Sequence, residues 1–308
     1  MKLKDYLLLA ATENTGGTAT AEANGKVLES FHKYLAQAKV SPAAAAALLA
    51  APMRARRDAT PSAGAFPLVV IAGGNGEGPY DQAFLAEMLV PRGYVVATTP
   101  SPSRITGPMQ SQSDIPAYAA AGADDIAFTA ADSKRQPVVR AGPIGLVGYS
   151  FGARSALLYE MRVRDVAAFV SLDGGIGSAT GKGELQKAPA FDPKTAIAPL
   201  LHLYEEGDRF MPVDLDLIGS LDRCDRWLVR VEGMRHSHFS TMGVLAARSP
   251  ELASITQATP RTASARRAVA EATAAFLDRF LAHPTGEPPA AWVPPHSGEY
   301  SVRQLPRR

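Results

Sequence analysis

A serine lies at the centre of the most informative short pattern in the chain, Gly-Tyr-Ser-Phe-Gly at residues 148–152. The pattern ends an apolar run at 144–149, which predicts a buried strand, and precedes a stretch of helical character at 153–163. At such a turn only small residues fit on either side of the serine, whose hydroxyl is pushed out at the carboxyl end of the strand. Ser150 is therefore a candidate nucleophile. The amide of Phe151, at the start of a helix, is a candidate donor to an oxyanion.

Two histidines are candidates for the general base that a serine hydroxyl needs. His236 and His238 both lie just after the last strongly apolar run, at 227–231, where a base can reach over the serine. His202 lies inside another apolar run, at 200–204, and is interpreted as a histidine of the core. Position alone leaves His236 and His238 as alternatives.

Two aspartates are candidates for the carboxylate that would orient the histidine. Asp173 directly follows the apolar run at 166–172, and Asp208 comes shortly after the run at 200–204. Both give the order serine, acid, histidine, and both loops belong at the catalytic edge of a parallel sheet. An acid at such an edge is also common as a helix cap, so order alone does not choose between them.

A glycine-rich loop at 72–78, Ala-Gly-Gly-Asn-Gly-Glu-Gly, follows the apolar run at 68–71. Its glycines allow a main-chain amide to point into the site, which predicts the second oxyanion donor. The alternative is a loop that binds nucleotide phosphates. No Lys-Ser or Lys-Thr follows, and the glycine spacing does not fit G-x-G-x-x-G, so the sequence favours the oxyanion loop.

The elements that must position these residues begin at residue 66, where strand and helix patterns start to alternate. Alternation of this kind predicts a mainly parallel sheet of about six strands flanked by helices. The predicted strands are 68–71, 94–97, 144–149, 166–172, 200–204 and 227–231, and the predicted helices are 81–90, 114–131, 153–163 and 262–281.

The chain is predicted to divide into three parts. Residues 1–65 form a helical extension with a connector rich in Arg, Pro, Ser and Gly, and this extension is a candidate cap over the site. Residues 66–284 form the catalytic domain, and residues 285–308 form a C-terminal tail. Within the extension, helical spacing covers 22–38 and 43–51.

Composition excludes several classes of protein. The 308 residues include 32 Lys and Arg against 30 Asp and Glu, a net charge of +2, which disfavours a nucleic-acid partner. Cys224 is the single cysteine, so neither a disulfide framework nor a zinc site is expected. No apolar run is long enough to span a membrane. The N-terminus is not typical of a signal peptide, so we expect a cytoplasmic location, although proteins of this size can also be secreted without disulfides.

Together these motifs resemble the α/β-hydrolase superfamily, and within it the platelet-activating factor acetylhydrolase and dienelactone hydrolase-like esterases. The resemblance covers about residues 66–281. It rests on Phe-Pro-Leu-Val-Val-Ile at 66–71, Gly-Gly-Asn-Gly at 73–76, Arg-Gly-Tyr-Val-Val at 92–96 and the serine motif. The helical residues 1–52 depart from the antiparallel strands that usually open the sheet of this family.

The resemblance implies a role for each candidate residue. The acid of these esterases lies in a Leu-Asp motif after the strand that follows the serine, which implies Asp173 ahead of Asp208. Their base lies in a Gly-x-x-His-x-x-Phe pattern, which His236 matches and His238 does not. The third residue of the Gly-Gly-Asn-Gly motif at 73–76, Asn75, corresponds to the residue whose amide serves the oxyanion.

The expected activity is a metal-independent hydrolysis of small carboxylic esters through an acyl-enzyme, with no cofactor. True dienelactone hydrolases use a cysteine where this chain has Ser150, so an ordinary serine esterase is the implied activity. The same residues could serve a peptidase, a thioesterase or an acyltransferase, because the fold does not fix the leaving group. A non-catalytic scaffold that only binds a ligand is the alternative from another class. The sequence does not determine the oligomeric state.

Overall fold

A seven-stranded sheet runs through the computed structural model, which describes residues 1–13, 17–284, 292–295 and 298–308. Its strands are β1 Leu68–Ala72, β2 Val95–Thr98, β3 Ile144–Tyr149, β4 Val166–Leu172, β5 Leu200–Tyr204, β6 Arg226–Val231 and β7 Tyr300–Leu305. Their order across the sheet is β2-β1-β3-β4-β5-β6-β7. Neighbouring strands among the first six, β1 to β6, pair in parallel. The predicted mainly parallel sheet is confirmed, and each of its six predicted strands lies within one residue of its expected bounds.

The seventh strand lies in the segment predicted to be a tail. β7 pairs antiparallel with β6, from Val231 opposite Tyr300 to Arg226 opposite Leu305. The Trp227 indole nitrogen also donates a hydrogen bond to the carbonyl of Trp292, 3.0 Å away. Residues 285–308 therefore complete one edge of the sheet, although 285–291 and 296–297 of this segment lie outside the described residues.

Helices cover both faces of the sheet. They are α1 Leu3–Leu7, α2 Ala10–Glu13, α3 Ala21–Gln37, α4 Pro42–Leu49, α5 Ala83–Leu89, α6 Ser103–Thr106, α7 Ile115–Ser133, α8 Gly152–Arg162, α9 Asp216–Ser220, α10 Thr241–Ala246, α11 Pro250–Thr256 and α12 Pro260–Leu277. Alternate residues of a strand point to opposite faces, so Leu68 and Val70 of β1 pack with α7 and α8, whereas Val69 and Ile71 pack with α5 and α12.

The N-terminal helices share an apolar cluster with the rest of the chain. Phe31 and Leu35 of α3 are buried together with Ala83 of α5 and with Met242 and Leu245 of α10. The helical extension therefore packs beside the loop that follows β1 and the segment that follows β6.

Two features bear on the exclusions drawn from composition. In the part of the chain that the structure describes, no helix is long and apolar enough to cross a membrane. Cys224 is buried just before β6, where its thiol donates a hydrogen bond to the carbonyl of Leu221, 3.5 Å away.

Candidate active site

Ser150 lies at the turn from β3 into α8, in the left-handed backbone region with φ of 52°. Glycine is required on both sides by close backbone approaches: a Cβ on Gly148 would lie 2.5 Å from the Cα of Ala153, and one on Gly152 would overlap the carbonyl oxygen of Ala72. The strained turn places Ser150 at the carboxyl end of the parallel strands, where the sequence predicts it.

The structure brings Ser150, His236 and Asp173 together in one hydrogen-bonded row. His236 Nε2 is 2.9 Å from Ser150 Oγ, and His236 Nδ1 is 2.6 Å from Asp173 Oδ2. His236 lies in the segment that follows β6, and Asp173 directly follows β4. In this arrangement the imidazole can accept the serine proton, while the carboxylate fixes the ring and stabilises its charged form.

The competing acid and base lie in other environments. Asp208 Oδ1 accepts a hydrogen bond from the amide of Phe210 at 2.9 Å, which stabilises its own loop. His238 is almost fully buried, and its Nδ1 accepts a hydrogen bond from the amide of Arg235 at 2.9 Å. Burial lowers the pKa of His238 to about 4, so this imidazole is neutral near pH 7. The hydrogen bonds thus favour Asp173 over Asp208 and His236 over His238.

Aromatic rings hold His236 on two sides. The Tyr149 ring stacks on the imidazole with the centroids 5.2 Å apart, and the Tyr149 hydroxyl donates a hydrogen bond to the His236 carbonyl at 3.3 Å. The ring of Phe210, which is exposed, lies 5.7 Å from the imidazole centroid. The imidazole is therefore oriented by packing as well as by Asp173.

Asp173 is a buried carboxylate with a second acid beside it. Burial raises the pKa of Asp173 above its ordinary value, and the hydrogen bond with His236 opposes that increase. Asp173 Oδ1 also accepts a hydrogen bond from the amide of Glu205 at 3.3 Å. Burial and the charge of Asp173 raise the pKa of the Glu205 carboxyl to about 7. The site therefore holds two neighbouring acids with raised pKa values, Asp173 and Glu205, of which Asp173 contacts the His236 imidazole.

Both predicted oxyanion donors lie near the nucleophile. Phe151 follows Ser150 directly and precedes the first residue of α8, so its amide is at the positive end of that helix. The glycine loop packs against the serine, because a Cβ on Gly74 would lie 3.3 Å from Ser150 Cβ. Asn75 is the next residue in that loop, and its side chain is exposed.

The sequence interpretation missed two acids, one within the glycine loop and one just after it. Asp81 and the Oε2 atom of Glu77 are buried near the site, and burial raises the pKa of Glu77 while the charge of His236 opposes the increase. The signal was present as two carboxyl residues four positions apart, at the end of the loop and just beyond it. Within the described residues, no group of three or more His, Cys, Asp or Glu side chains is arranged to hold a metal ion.

Solved structures of known enzymes match this architecture. A ferulic acid esterase from Streptomyces cinnamoneus superposes with a TM-score of 0.55 over 80% of this chain and 76% of its own, at 22% sequence identity. The chain has the α/β-hydrolase fold. A Pyrococcus horikoshii acylaminoacyl peptidase shares this hydrolase fold with a TM-score of 0.54 and 16% identity, over 72% of this chain and 38% of the peptidase.

No protein-family model matches the sequence, and no curated protein matches it. The likeness to the two enzymes establishes the fold alone. At sequence identities this low, the substrate of one protein cannot be assigned to the other.

Proposed function

We propose that this protein is a serine hydrolase that cleaves carboxylic esters through an acyl-enzyme. The observation that carries the proposal is the row of two hydrogen bonds that joins Ser150 Oγ to His236 and His236 to Asp173. The α/β-hydrolase fold supports it, since the nucleophile, acid and base lie at the sheet edge and in the chain order typical of that fold.

In the first half of the proposed reaction, Ser150 Oγ attacks the acyl carbon while His236 Nε2 takes the serine proton. Asp173 accepts a hydrogen bond from the other ring nitrogen and stabilises the imidazolium. The amides of Phe151 and Asn75 are the proposed donors to the oxyanion of the tetrahedral intermediate. Collapse of that intermediate expels the alcohol, which takes its proton from His236.

In the second half, water attacks the acyl-enzyme and the same groups act again. His236 takes a proton from the water, and the new tetrahedral intermediate releases the carboxylic acid as the proton returns to Ser150 Oγ. Each residue ends in the state in which it began, so the cycle consumes one ester and one water.

The proposal is tested directly by labelling with a fluorophosphonate, which reacts with an activated serine. We expect one adduct on Ser150 in the folded protein, and none in the variants Ser150→Ala and His236→Ala. Intact mass and peptide mass spectrometry measure the adduct. A folded wild-type protein that stays unlabelled would exclude a hydrolase and leave a scaffold that only binds a ligand.

A substrate screen distinguishes an esterase from the other activities that the same three side chains could support. Matched p-nitrophenyl esters, p-nitroanilides and thioesters of one acyl group test an esterase against a peptidase and a thioesterase. Methyl esters of hydroxycinnamic acids belong in the screen because a similar structure is a ferulic acid esterase. We expect the highest kcat/KM for the esters, and a higher value for the anilides would favour the peptidase.

A further inference from the structure

A cavity of about 490 Å³ lies between the helical extension and the loop that follows β1. One wall comes from α3, with Lys26, Phe31 and Tyr34, and the opposite wall includes Glu77, Tyr80 and Asp81. The volume is that of a pocket for a small ligand. The helical extension thus builds half of a cavity whose other half belongs to the loop beside the nucleophile.

Three aromatic rings line this cavity. The rings of Phe31 and Tyr34 stack with their centroids 6.4 Å apart, and Phe31 meets Tyr80 edge to face, also at 6.4 Å. The faces of aromatic rings carry partial negative charge, which attracts cations, and clustered rings are a common way of binding ammonium groups.

Two carboxyl groups add negative charge to the same cavity. Asp81 is only 2% exposed, and a hydrogen bond links it to Glu77. Glu77 Oε2 is buried, and among the described residues it has no hydrogen-bond partner. Burial raises the pKa of Glu77, which is the cost of keeping this carboxylate in an apolar cavity. A cation in the cavity would offset that cost.

The cation that already lines the cavity is engaged elsewhere. Lys26 Nζ forms an exposed ion pair with Glu22 at 2.6 Å, one turn away on α3. A hydrogen bond between two carboxyl groups requires one shared proton, so the Glu77–Asp81 pair carries one negative charge toward the cavity.

Glu77 also joins the cavity to the nucleophile. A methyl group at Gly74 would touch both the Glu77 carboxylate and Ser150 Cβ, so only the width of one methyl separates these side chains. Ser150 itself does not line the cavity, so Glu77 is the residue that connects the cavity to the nucleophile.

We propose that the cavity is a substrate subsite for a small organic ammonium group, bound by the singly charged Glu77–Asp81 carboxyl pair and the rings of Phe31, Tyr34 and Tyr80. This inference rests on the proposed esterase function, because it names the class of ester: one that carries a fixed or protonated amine. The helical extension is then the part of the chain that sets substrate preference.

The first test measures binding without turnover. Choline and 3,3-dimethylbutan-1-ol have nearly the same shape, but only choline is charged, and calorimetry on the full-length protein compares the two. We expect choline to bind about tenfold tighter than the neutral alcohol, the order of one cation–aromatic contact plus a carboxylate. Equal binding, or none by choline, would overturn the proposal.

Matched variants locate the charge. Glu77→Gln keeps the shape of the side chain and should remove most of the preference for choline, and Tyr34→Leu should reduce it without changing a buried charge. Glu29→Gln makes the same substitution at an exposed position of α3 and should bind choline as the wild type does. An unchanged preference in both Glu77→Gln and Tyr34→Leu would place the cation elsewhere and contradict the proposal.

The second test measures turnover of acetylcholine against 3,3-dimethylbutyl acetate. We expect kcat/KM to favour the charged ester, and the ratio of the two values to fall in Glu77→Gln. Equal values despite tight binding of choline would overturn the substrate role and leave a site for a free cation. Fluorophosphonate labelling separates this failure from a failure of the proposed function. A labelled enzyme without charge preference contradicts the subsite, whereas an unlabelled protein that binds choline contradicts the hydrolase.

Discussion

Asp173 controls which nitrogen of His236 carries the proton, because its Oδ2 atom is 2.6 Å from His236 Nδ1. Asp173→Asn replaces an acceptor by an amide that can donate and so favours the wrong tautomer. We expect kcat for p-nitrophenyl acetate to fall by about 10³- to 10⁴-fold. Asp208→Asn is the matched control, and it should lower kcat only slightly because Asp208 caps its own loop. The reverse ranking would move the proposed acid to the end of β5.

His236 and His238 test the proposed base in the same way. His236→Ala removes the group within hydrogen-bond distance of Ser150 and should abolish both turnover and labelling. His238→Ala should keep most of the turnover of each folded molecule, but it should lower the melting temperature because His238 is buried and caps the Arg235 amide. Active-site titration corrects for unfolded protein. Comparable losses of turnover would leave the base unassigned.

At this scale the order of the strands left two candidate acids for the imidazole, and only the resemblance to known esterases favoured Asp173. Asp173 and Asp208 both follow neighbouring parallel strands, so strand order leaves them equivalent. Their difference lies in side-chain direction, since Asp173 turns toward His236 whereas Asp208 turns back to the Phe210 amide. Glu77 escaped notice because the cavity that it lines is formed in part by α3, which is remote in the sequence.

Among the elements, α8 carries a buried acid that makes stability depend on pH. Glu160 Oε1 accepts hydrogen bonds from the amides of Ile197 and Ala198, at 2.7 and 3.0 Å, and so ties α8 to the segment before β5. Burial raises its pKa from 4.5 to about 7. Since the folded pKa is raised, the stability that this group contributes is full below about pH 4.5 and is lost as the pH rises through 7.

Glu160→Gln keeps an acceptor for the two amides but cannot ionise. We expect the variant to gain about 2–3 kcal/mol in free energy of unfolding, relative to the wild type, between pH 5 and pH 8. Urea unfolding at both pH values measures the change. Glu271→Gln, at an exposed position of α12, should show no such difference. If the free energies of unfolding of the wild type and Glu160→Gln differed by the same amount at pH 5 and pH 8, the raised pKa of Glu160 would be contradicted.

The strands also differ in how well sequence predicts them. Buried strands such as β3 and β5 are continuous apolar runs, and the sequence predicted their exact bounds. The edge strand β7 reads Tyr-Ser-Val-Arg-Gln-Leu and is largely exposed, so it lacks an apolar run. It forms because β6 offers an unpaired edge and because Trp292 packs on Trp227, a long-range contact that no local pattern encodes.

Across the whole molecule, the helical extension and the sheet should unfold together. Leu35 of α3 is fully buried in a cluster that includes residues of α5 and α10. Leu35→Ala should therefore lower the free energy of unfolding by about 2–5 kcal/mol. Both tryptophans, Trp227 and Trp292, lie at the sheet, so their fluorescence reports the sheet while far-ultraviolet circular dichroism reports the helices.

We expect both signals to shift to the same lower denaturant concentration in Leu35→Ala, as one cooperative unit requires. Glu29→Gln, on the exposed side of the same helix, should leave the midpoint unchanged. If circular dichroism changed in Leu35→Ala while tryptophan fluorescence kept the wild-type midpoint, the extension would be an independent unit and could not hold the walls of the cavity in place.

The buried thiol of Cys224 can report local unfolding of the protein. Burial raises the pKa of this thiol to about 12, so almost no reactive thiolate exists while the structure around β6 is closed. A disulfide reagent such as dithiobis-nitrobenzoate can then react only in molecules where that corner has opened. Because the chain has one cysteine, the rate at which the coloured product appears measures the opening of the structure around Cys224, and no engineered probe is needed.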